Sequence, residues 1–210
     1  MRQKLGKIPL IICVTGKMAA GKNTVCTILE KNGFVSLDTD WLVHSAIKKA
    51  EDTIFAAFSE ESEHAGINLK NEDGSLNRRS LGKLVFQDKK LLERQESIVH
   101  PLITKDVLSF IEQNKEKNII LNATVLYKTK DLISLCTCIL FVTAPLAIRF
   151  FRAKKRDGLQ SRHILARFNA QKNLLNEYKK CGIPIIKIKN TGSKKRLEKH
   201  ILKSVVYGNL

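Results

Sequence analysis

Residues 9–31 read PLIICVTGKMAAGKNTVCTILEK, and this stretch decides the fold. An apolar run over Pro9–Val14, of the kind that makes a strand buried on both faces, is followed by Gly16-Lys17-Met18-Ala19-Ala20-Gly21-Lys22. A helical pattern then covers Thr24–Lys31. The spacing is G-x-x-x-x-G-K between a strand and a helix, the context in which that pattern wraps phosphate. Glycines let successive backbone N–H groups turn inward around phosphate oxygens, and Gly21 admits the chain without a side-chain clash. The helix that starts near Lys22 contributes the positive end of its dipole, and Lys22 a full charge for the β- and γ-phosphates. The predicted ligand is a nucleoside triphosphate, ATP, held by Gly16, Lys17, Met18, Ala19, Ala20, Gly21, Lys22, Asn23 and Thr24. Asn23 stands where Ser or Thr normally offers a hydroxyl to Mg²⁺. Its amide oxygen and the adjacent Thr24 are therefore the candidate metal ligands.

Further apolar runs lie at Phe34–Leu37, Ile119–Leu121, Ile139–Val142 and Ile183–Ile188, with helical patterns over Leu146–Lys155 and Lys194–Val205. Alternation of this kind predicts an α/β doubly wound parallel sheet. From Trp41 to Lys117 the alternation stops, and helical spacing dominates: Leu81–Phe86, Leu91–Ile98, a break at His100-Pro101, then Leu102–Ile111. Asn71–Ser75 is rich in turn formers and reads as a surface loop. The expected organisation is a nucleotide-binding core of residues 1–42 and 118–210, an inserted helical lobe of residues 43–117, and a small lid at about 150–165.

Two clusters flank the phosphate motif. Asp38-Thr39-Asp40 ends the second apolar run, and residues two apart on an extended chain point the same way, so both carboxylates converge where ligands sit in an open α/β sheet. One of them can accept a proton from an attacking hydroxyl or position metal-bound water; a helix cap by Asp40 fits the same residues. Arg149, Arg152 and Arg156 follow Pro145, with Arg152 and Arg156 on one helical face before Asp157-Gly158 stops the helix. Arginines so placed can neutralise a transferring phosphoryl group as a lid closes, and a solvated basic face has the same pattern.

The 210 residues carry a net charge of +17, which attracts polyanions without selecting one. Neither an aromatic RNP pattern nor a zinc-finger spacing is present, so no specific nucleic-acid partner is predicted. Cys13, Cys26, Cys136, Cys138 and Cys181 lack zinc-ligand spacing and are expected as free thiols, mostly buried. The basic Met1–Lys7 and the apolar run after it are too short for a secretion signal, and no run reaches membrane-spanning length. A cytoplasmic protein, monomeric or a small homo-oligomer, is expected.

Taken together these segments resemble the dephospho-CoA kinases. The resemblance rests on the glycine loop, Leu37-Asp38-Thr39-Asp40, the run Asn71-Glu72-Asp73-Gly74-Ser75-Leu76-Asn77-Arg78 with Leu81-Gly82 and Val85-Phe86, and Ile98-Val99-His100-Pro101-Leu102-Ile103. It continues through Arg152, Lys155–Leu159, Ala170-Gln171 and Asn190–Ser193. It implies a P-loop kinase core with a helical acceptor lobe and a lid. It also implies ATP-dependent phosphorylation of the ribose 3′-hydroxyl of dephospho-CoA, the last step of coenzyme A synthesis. By this resemblance Asp40, Lys22 and Arg152 are catalytic, with Arg156 on the nucleotide. Asp38, His44, His100 and Pro101 meet the substrate, although capping or packing also suits His100. The chain departs from the family at His44, which replaces an arginine, and at Asn122–Lys128, which replaces D-x-P-L-L-F-E and so removes an aspartate and a glutamate. Another P-loop small-molecule or nucleotide kinase, or a non-catalytic nucleotide- or RNA-binding protein, would share the loop but not the motifs between Asn71 and Ile103.

Overall fold

β1 (Ile11–Gly16) occupies the middle of a five-stranded parallel sheet ordered β2-β3-β1-β4-β5. Its residues from Ile12 to Val14 are fully buried, as a strand covered by helices on both faces requires. The computed structural model describes residues 9–206, so the basic stretch at Met1–Lys7 lies outside the described residues. The other strands are β2 (Val35–Asp38), β3 (Ile119–Asn122), β4 (Cys138–Thr143) and β5 (Ile185–Lys189). The five predicted runs are all strands, each with shifted ends. From β1 the chain runs outward to β2, returns through β3, and then crosses to β4 and β5 on the other side. The order therefore reverses at β1, and its carboxyl end is a switch point of the kind where α/β sheets bind ligands.

Alternation along the strands sorts the core into two faces. Ile12, Val14, Ile120, Leu140, Val142 and Ile188 pack with α1 (Lys22–Glu30) and the terminal helix through Val25, Ile28, Leu29, Leu197 and Ile201. Phe141 meets the fully buried Tyr178 edge to face on the other side. Cys13, Cys26, Cys136 and Cys138 are buried free thiols, and Cys181 is half-buried. Burial pushes the Cys26 and Cys136 thiols from an ordinary 9.0 up to about 12.

Two compact units make up the chain: residues up to Thr39 with those from Ser109, and Asp40–Leu108. The second is helical, built by α2 (Thr39–Lys49, shared at its start with the first unit), α3 (Glu51–His64), α4 (Arg78–Val85) and most of α5 (Lys89–Gln113). Its motif Asn71–Arg78 is a turn and a cap. Asp73 accepts from the Ser75 backbone (3.0 Å) and hydroxyl (2.6 Å), Gly74 takes a positive φ, and Asn77 caps α4 by accepting from Arg79 and Ser80 N–H (3.1 and 3.0 Å).

Two local expectations are corrected. His100-Pro101 does not interrupt the helix: α5 runs through Pro101 because the ring faces solvent while Val99, Ile103 and Val107 stay buried along one stripe. Asp40 neither extends β2 nor caps the next helix. The strand ends at Asp38 and α2 starts at Thr39, so Asp40 stands in the first helical turn. The extended-chain argument for paired carboxylates does not apply there.

The remaining core elements are a 3₁₀ turn at Leu126–Lys128, α6 (Lys130–Ile133), α7 (Leu146–Asp157), α8 (Ser161–Ala170), α9 (Leu174–Lys179), α10 (Lys194–Ile201) and a closing π turn at Leu202–Val206. Among the described residues no helix is long and apolar enough to cross a membrane.

Candidate active site

Gly16 to Gly21 form the loop between β1 and α1, and their conformations explain the glycines. Gly16 lies against the Val142 backbone carbonyl, where a Cβ has no room. Gly21 takes φ 100° at the start of α1, with the Asn190 amide packed where its Cβ would stand. Ala19, at φ 59°, is the non-glycine residue that the loop holds in the left-handed region.

Surrounding elements brace this loop. Gln171, just past α8, accepts from the Met18 N–H (2.6 Å), and Arg149 on α7 donates through Nε to the Met18 carbonyl (2.8 Å). The Ala20 carbonyl accepts from Asn190 Nδ2 (2.8 Å) and Arg152 Nη1 (3.4 Å), while Arg152 Nη2 reaches the Asn190 carbonyl (3.3 Å). Lys17 donates to the Lys172 carbonyl (3.0 Å). Met18 and Ala19 also pack on a small apolar cluster of Ala153, Ile164 and Phe168 from α7 and α8.

Over the loop lies a cavity of about 600 Å³ lined by Lys17, Ala19 to Thr24, Arg152, Lys155 and Arg156. Its lining holds five cationic side chains and no carboxylate, so it presents strong positive potential to a polyphosphate. Arg156 is paired with Asp157 (2.6 and 3.0 Å), and this hydrogen bond raises the pKa of the guanidinium and lowers that of the carboxyl. Arg149 does not reach the cavity lining. It is buried, stacked 4.1 Å over the Phe168 ring, and desolvation lowers its pKa. Lys155 does line the cavity, although on α7 the sequence singled out Arg149, Arg152 and Arg156 and not this lysine.

The floor of the site is the carboxyl edge of the sheet. Lys22 Nζ donates to Thr124 Oγ1 (2.7 Å). Thr124 is fixed in turn, because its carbonyl accepts from Thr15 Oγ1 (3.3 Å) and from Tyr178 OH (3.2 Å). Asn122, 5% exposed, donates through Nδ2 to Asn23 Oδ1 (3.3 Å) and Asp38 Oδ2 (3.3 Å). Its Oδ1 is buried without a hydrogen-bond partner. Among the described residues no three His, Cys, Asp or Glu gather as a metal cluster. The amide and carboxylate oxygens of Asn23, Asp38 and Asn122 do fit Mg²⁺, which takes hard oxygen donors, keeps several waters and needs few protein ligands beside phosphate.

The structure thus gathers Gly16 to Thr24, Asp38, Arg152 and Arg156 in the core unit. Asp40 and His44 stand on α2, and His100 and Pro101 at mid-α5, in the helical unit. Gln171, Asn190 and Thr124 had no role assigned from sequence. The first two fell inside matched segments, and that placement was their only signal.

A sequence model of the dephospho-CoA kinase family matches residues 10–195. A dephospho-CoA kinase of Treponema denticola is 36% identical over 201 residues, spanning 94% of this chain and 89% of the relative. A crystal structure from Thermus thermophilus superposes with a TM-score of 0.80 at 30% identity, over 97% of this chain and 100% of that one. The dephospho-CoA kinase from Campylobacter jejuni, at 23% identity and a TM-score of 0.65 over 93% and 95% of the two chains, shares the fold. On its cationic phosphate loop, its 2-3-1-4-5 sheet and these matches, the chain belongs to the dephospho-CoA kinase family.

Proposed function

We propose that this protein transfers the γ-phosphate of ATP to the ribose 3′-hydroxyl of dephospho-CoA. The cavity over Gly16–Thr24, with five cations and no acid, is the observation that carries this reading. Backbone N–H groups of the loop and the amino end of α1 hold the β-phosphate. Lys22 leaves Thr124 for the γ-phosphate, and Arg152 and Lys155 neutralise charge that spreads over the transferring oxygens. Mg²⁺ would be held largely through water at Asn23, Thr24, Asp38 and Asn122, and would supply further neutralisation of phosphate charge. Asp40 matches the family's catalytic carboxylate and is assigned the acceptor's proton. The 3′-oxygen bonds to phosphorus, the bond to the β–γ bridging oxygen breaks, ADP leaves, and the proton passes to Asp40. The five free cysteines suit the reducing cytoplasm proposed for it.

The test is a transfer assay with ATP, Mg²⁺ and dephospho-CoA, read by product mass, with a panel of nucleosides and nucleoside monophosphates as alternative acceptors. One phosphate gained on the dephospho-CoA ribose is expected. Transfer to a nucleotide of the panel instead, or ATP binding with no transfer to any acceptor, overturns the assignment.

A further inference from the structure

We propose that Asn190, just past the carboxyl end of β5, is a positioning residue of the phosphate loop: by holding the Ala20 carbonyl it aims the Gly21 N–H into the cavity, and it keeps that aim when Arg152 turns to the phosphate. The inference rests on the reading of Gly16–Thr24 as a polyphosphate site and is independent of the acceptor. The sheet fixes Asn190 first. Its backbone N–H donates to the Thr143 carbonyl (2.8 Å), which carries the β4–β5 pairing one residue past Thr143 and Lys189. The side chain is buried and crosses to the loop, where Nδ2 donates to the Ala20 carbonyl at 2.8 Å. On the way the amide passes over the Cα of Gly21, where any Cβ would collide with it. Glycine at 21 thus makes room for this contact as well as for the left-handed turn.

The direction of the N–H follows from peptide geometry. Among the described residues no peptide bond is cis, so the C=O and N–H of each planar unit point opposite ways. Pinning the Ala20 carbonyl toward Asn190 turns the next N–H, that of Gly21, away from Asn190. The cavity lies there: Ala20, Gly21 and Lys22 line it, and Asn190 does not. Two residues earlier the construction repeats. Arg149 Nε holds the Met18 carbonyl (2.8 Å), so the N–H of Ala19, another lining residue, points away from Arg149.

Two donors share the Ala20 carbonyl, and their positions separate their tasks. Asn190 Nδ2 is close and buried. Arg152 Nη1 stands at 3.4 Å, on a side chain that lines the cavity and rests its Nη2 on the Asn190 carbonyl (3.3 Å). A guanidinium gains more from phosphate oxygens than from a backbone carbonyl at that distance. When Arg152 turns to a bound polyphosphate, the carbonyl keeps the Asn190 donor and the Gly21 N–H keeps its direction. With an apolar side chain at 190 the same move leaves the carbonyl without either donor, and the peptide can rotate. The aim of the loop is therefore preorganised by the donor that phosphate cannot draw away.

The test uses inorganic tripolyphosphate and ADP as probes, in EDTA so that no metal enters the comparison. Protein labelled with ¹⁵N-glycine is titrated with tripolyphosphate while the Gly21 amide is followed by NMR, and calorimetry gives the affinity for both probes. In the wild type the Gly21 amide proton is expected to move downfield as it bonds to phosphate oxygen. Asn190→Leu keeps the branched shape and loses the donor. There the Gly21 shift should largely vanish, and both probes should bind about tenfold more weakly, the loss expected when one hydrogen bond to a charged group goes. A merely structural role would lower the melting temperature and leave the Gly21 shift of the folded protein as it is in the wild type. Should Asn190→Leu fail to fold, Asn190→Ala, which adds no bulk, takes its place with the same direction expected for shift and affinity. An unchanged Gly21 shift in the variant overturns the proposal whatever the affinity, as does wild-type affinity for both probes. These results leave the polyphosphate reading intact, because the wild type binds; a wild type that binds neither probe overturns that reading and this proposal together.

Discussion

Gly21 is held at φ 100°, and the Asn190 amide fills the space where a Cβ would project. An L-residue there costs about 1–2 kcal/mol in backbone strain alone, and the clash adds to it. The neighbour cannot give way freely, because Asn190 Nδ2 is bonded to the Ala20 carbonyl that shapes the same loop. Gly21→Ala should therefore lower the affinity for ATP at least tenfold by displacing the loop amides, while the rest of the sheet keeps its melting cooperativity. Equilibrium binding of ATP beside a thermal melt checks this, and wild-type affinity would show that the loop tolerates a side chain. Gly33, Gly66 and Gly74 also take positive φ, but nothing lies within contact of an added Cβ there. Alanine at those positions meets the backbone term only.

Among the elements, α7 and α8 act on the phosphate loop as much as on the space above it. Arg149 holds the Met18 carbonyl, Gln171 holds the Met18 N–H, and Phe168 stacks under the guanidinium. One Arg149 nitrogen, Nη2, is buried without a hydrogen-bond partner, and among the described residues no carboxylate pairs with this guanidinium. Arg149→Met relieves that desolvated charge and keeps much of the apolar volume, so global stability should change little. The loop loses a charge-assisted hydrogen bond worth about 1.5–3 kcal/mol, and ATP affinity should fall roughly tenfold. Unchanged nucleotide binding in this variant would show that the clamp on Met18 is dispensable. Sequence made β1, β3 and β4 legible because each lies in a continuous apolar run, with weaker runs at β2 and β5 that Ser36 and Lys187 interrupt, and it marked the phosphate loop because its residues are consecutive. The bracing contacts were hidden: Met18 and Gln171 lie 153 residues apart, and Ala20 and Asn190 lie 170 apart. No local pattern marks them. Pro101 and Asp40 misled for the opposite reason, since short-range rules were overridden by the buried stripe of α5 in one case and by a helix that starts with no turn in the other.

At the scale of the whole molecule the net charge of +17 has two parts that salt separates. Lys17, Lys22, Arg152, Lys155 and Arg156 line the cavity and touch the space a triphosphate fills. Lys194, Lys195 and Lys199 on α10 are exposed and are not among those lining residues. Charges beyond a Debye length, about 10 Å at 0.1 M salt, act on a ligand only through the long-range field and are screened as salt rises. Contacts in the cavity persist, because little solvent separates them from phosphate. A variant with Lys194, Lys195 and Lys199 all changed to Gln takes the net charge from +17 to +14. It should bind ATP about twofold more weakly at low ionic strength and identically above roughly 0.5 M salt, with most of the difference in the association rate. Lys155→Gln should weaken binding at both ionic strengths, because it removes a contact as well as a field. Stopped-flow association and equilibrium binding across a salt series distinguish the two. Equal losses for both variants at high salt would mean that the α10 lysines reach the nucleotide, and the division into field and contact would be wrong.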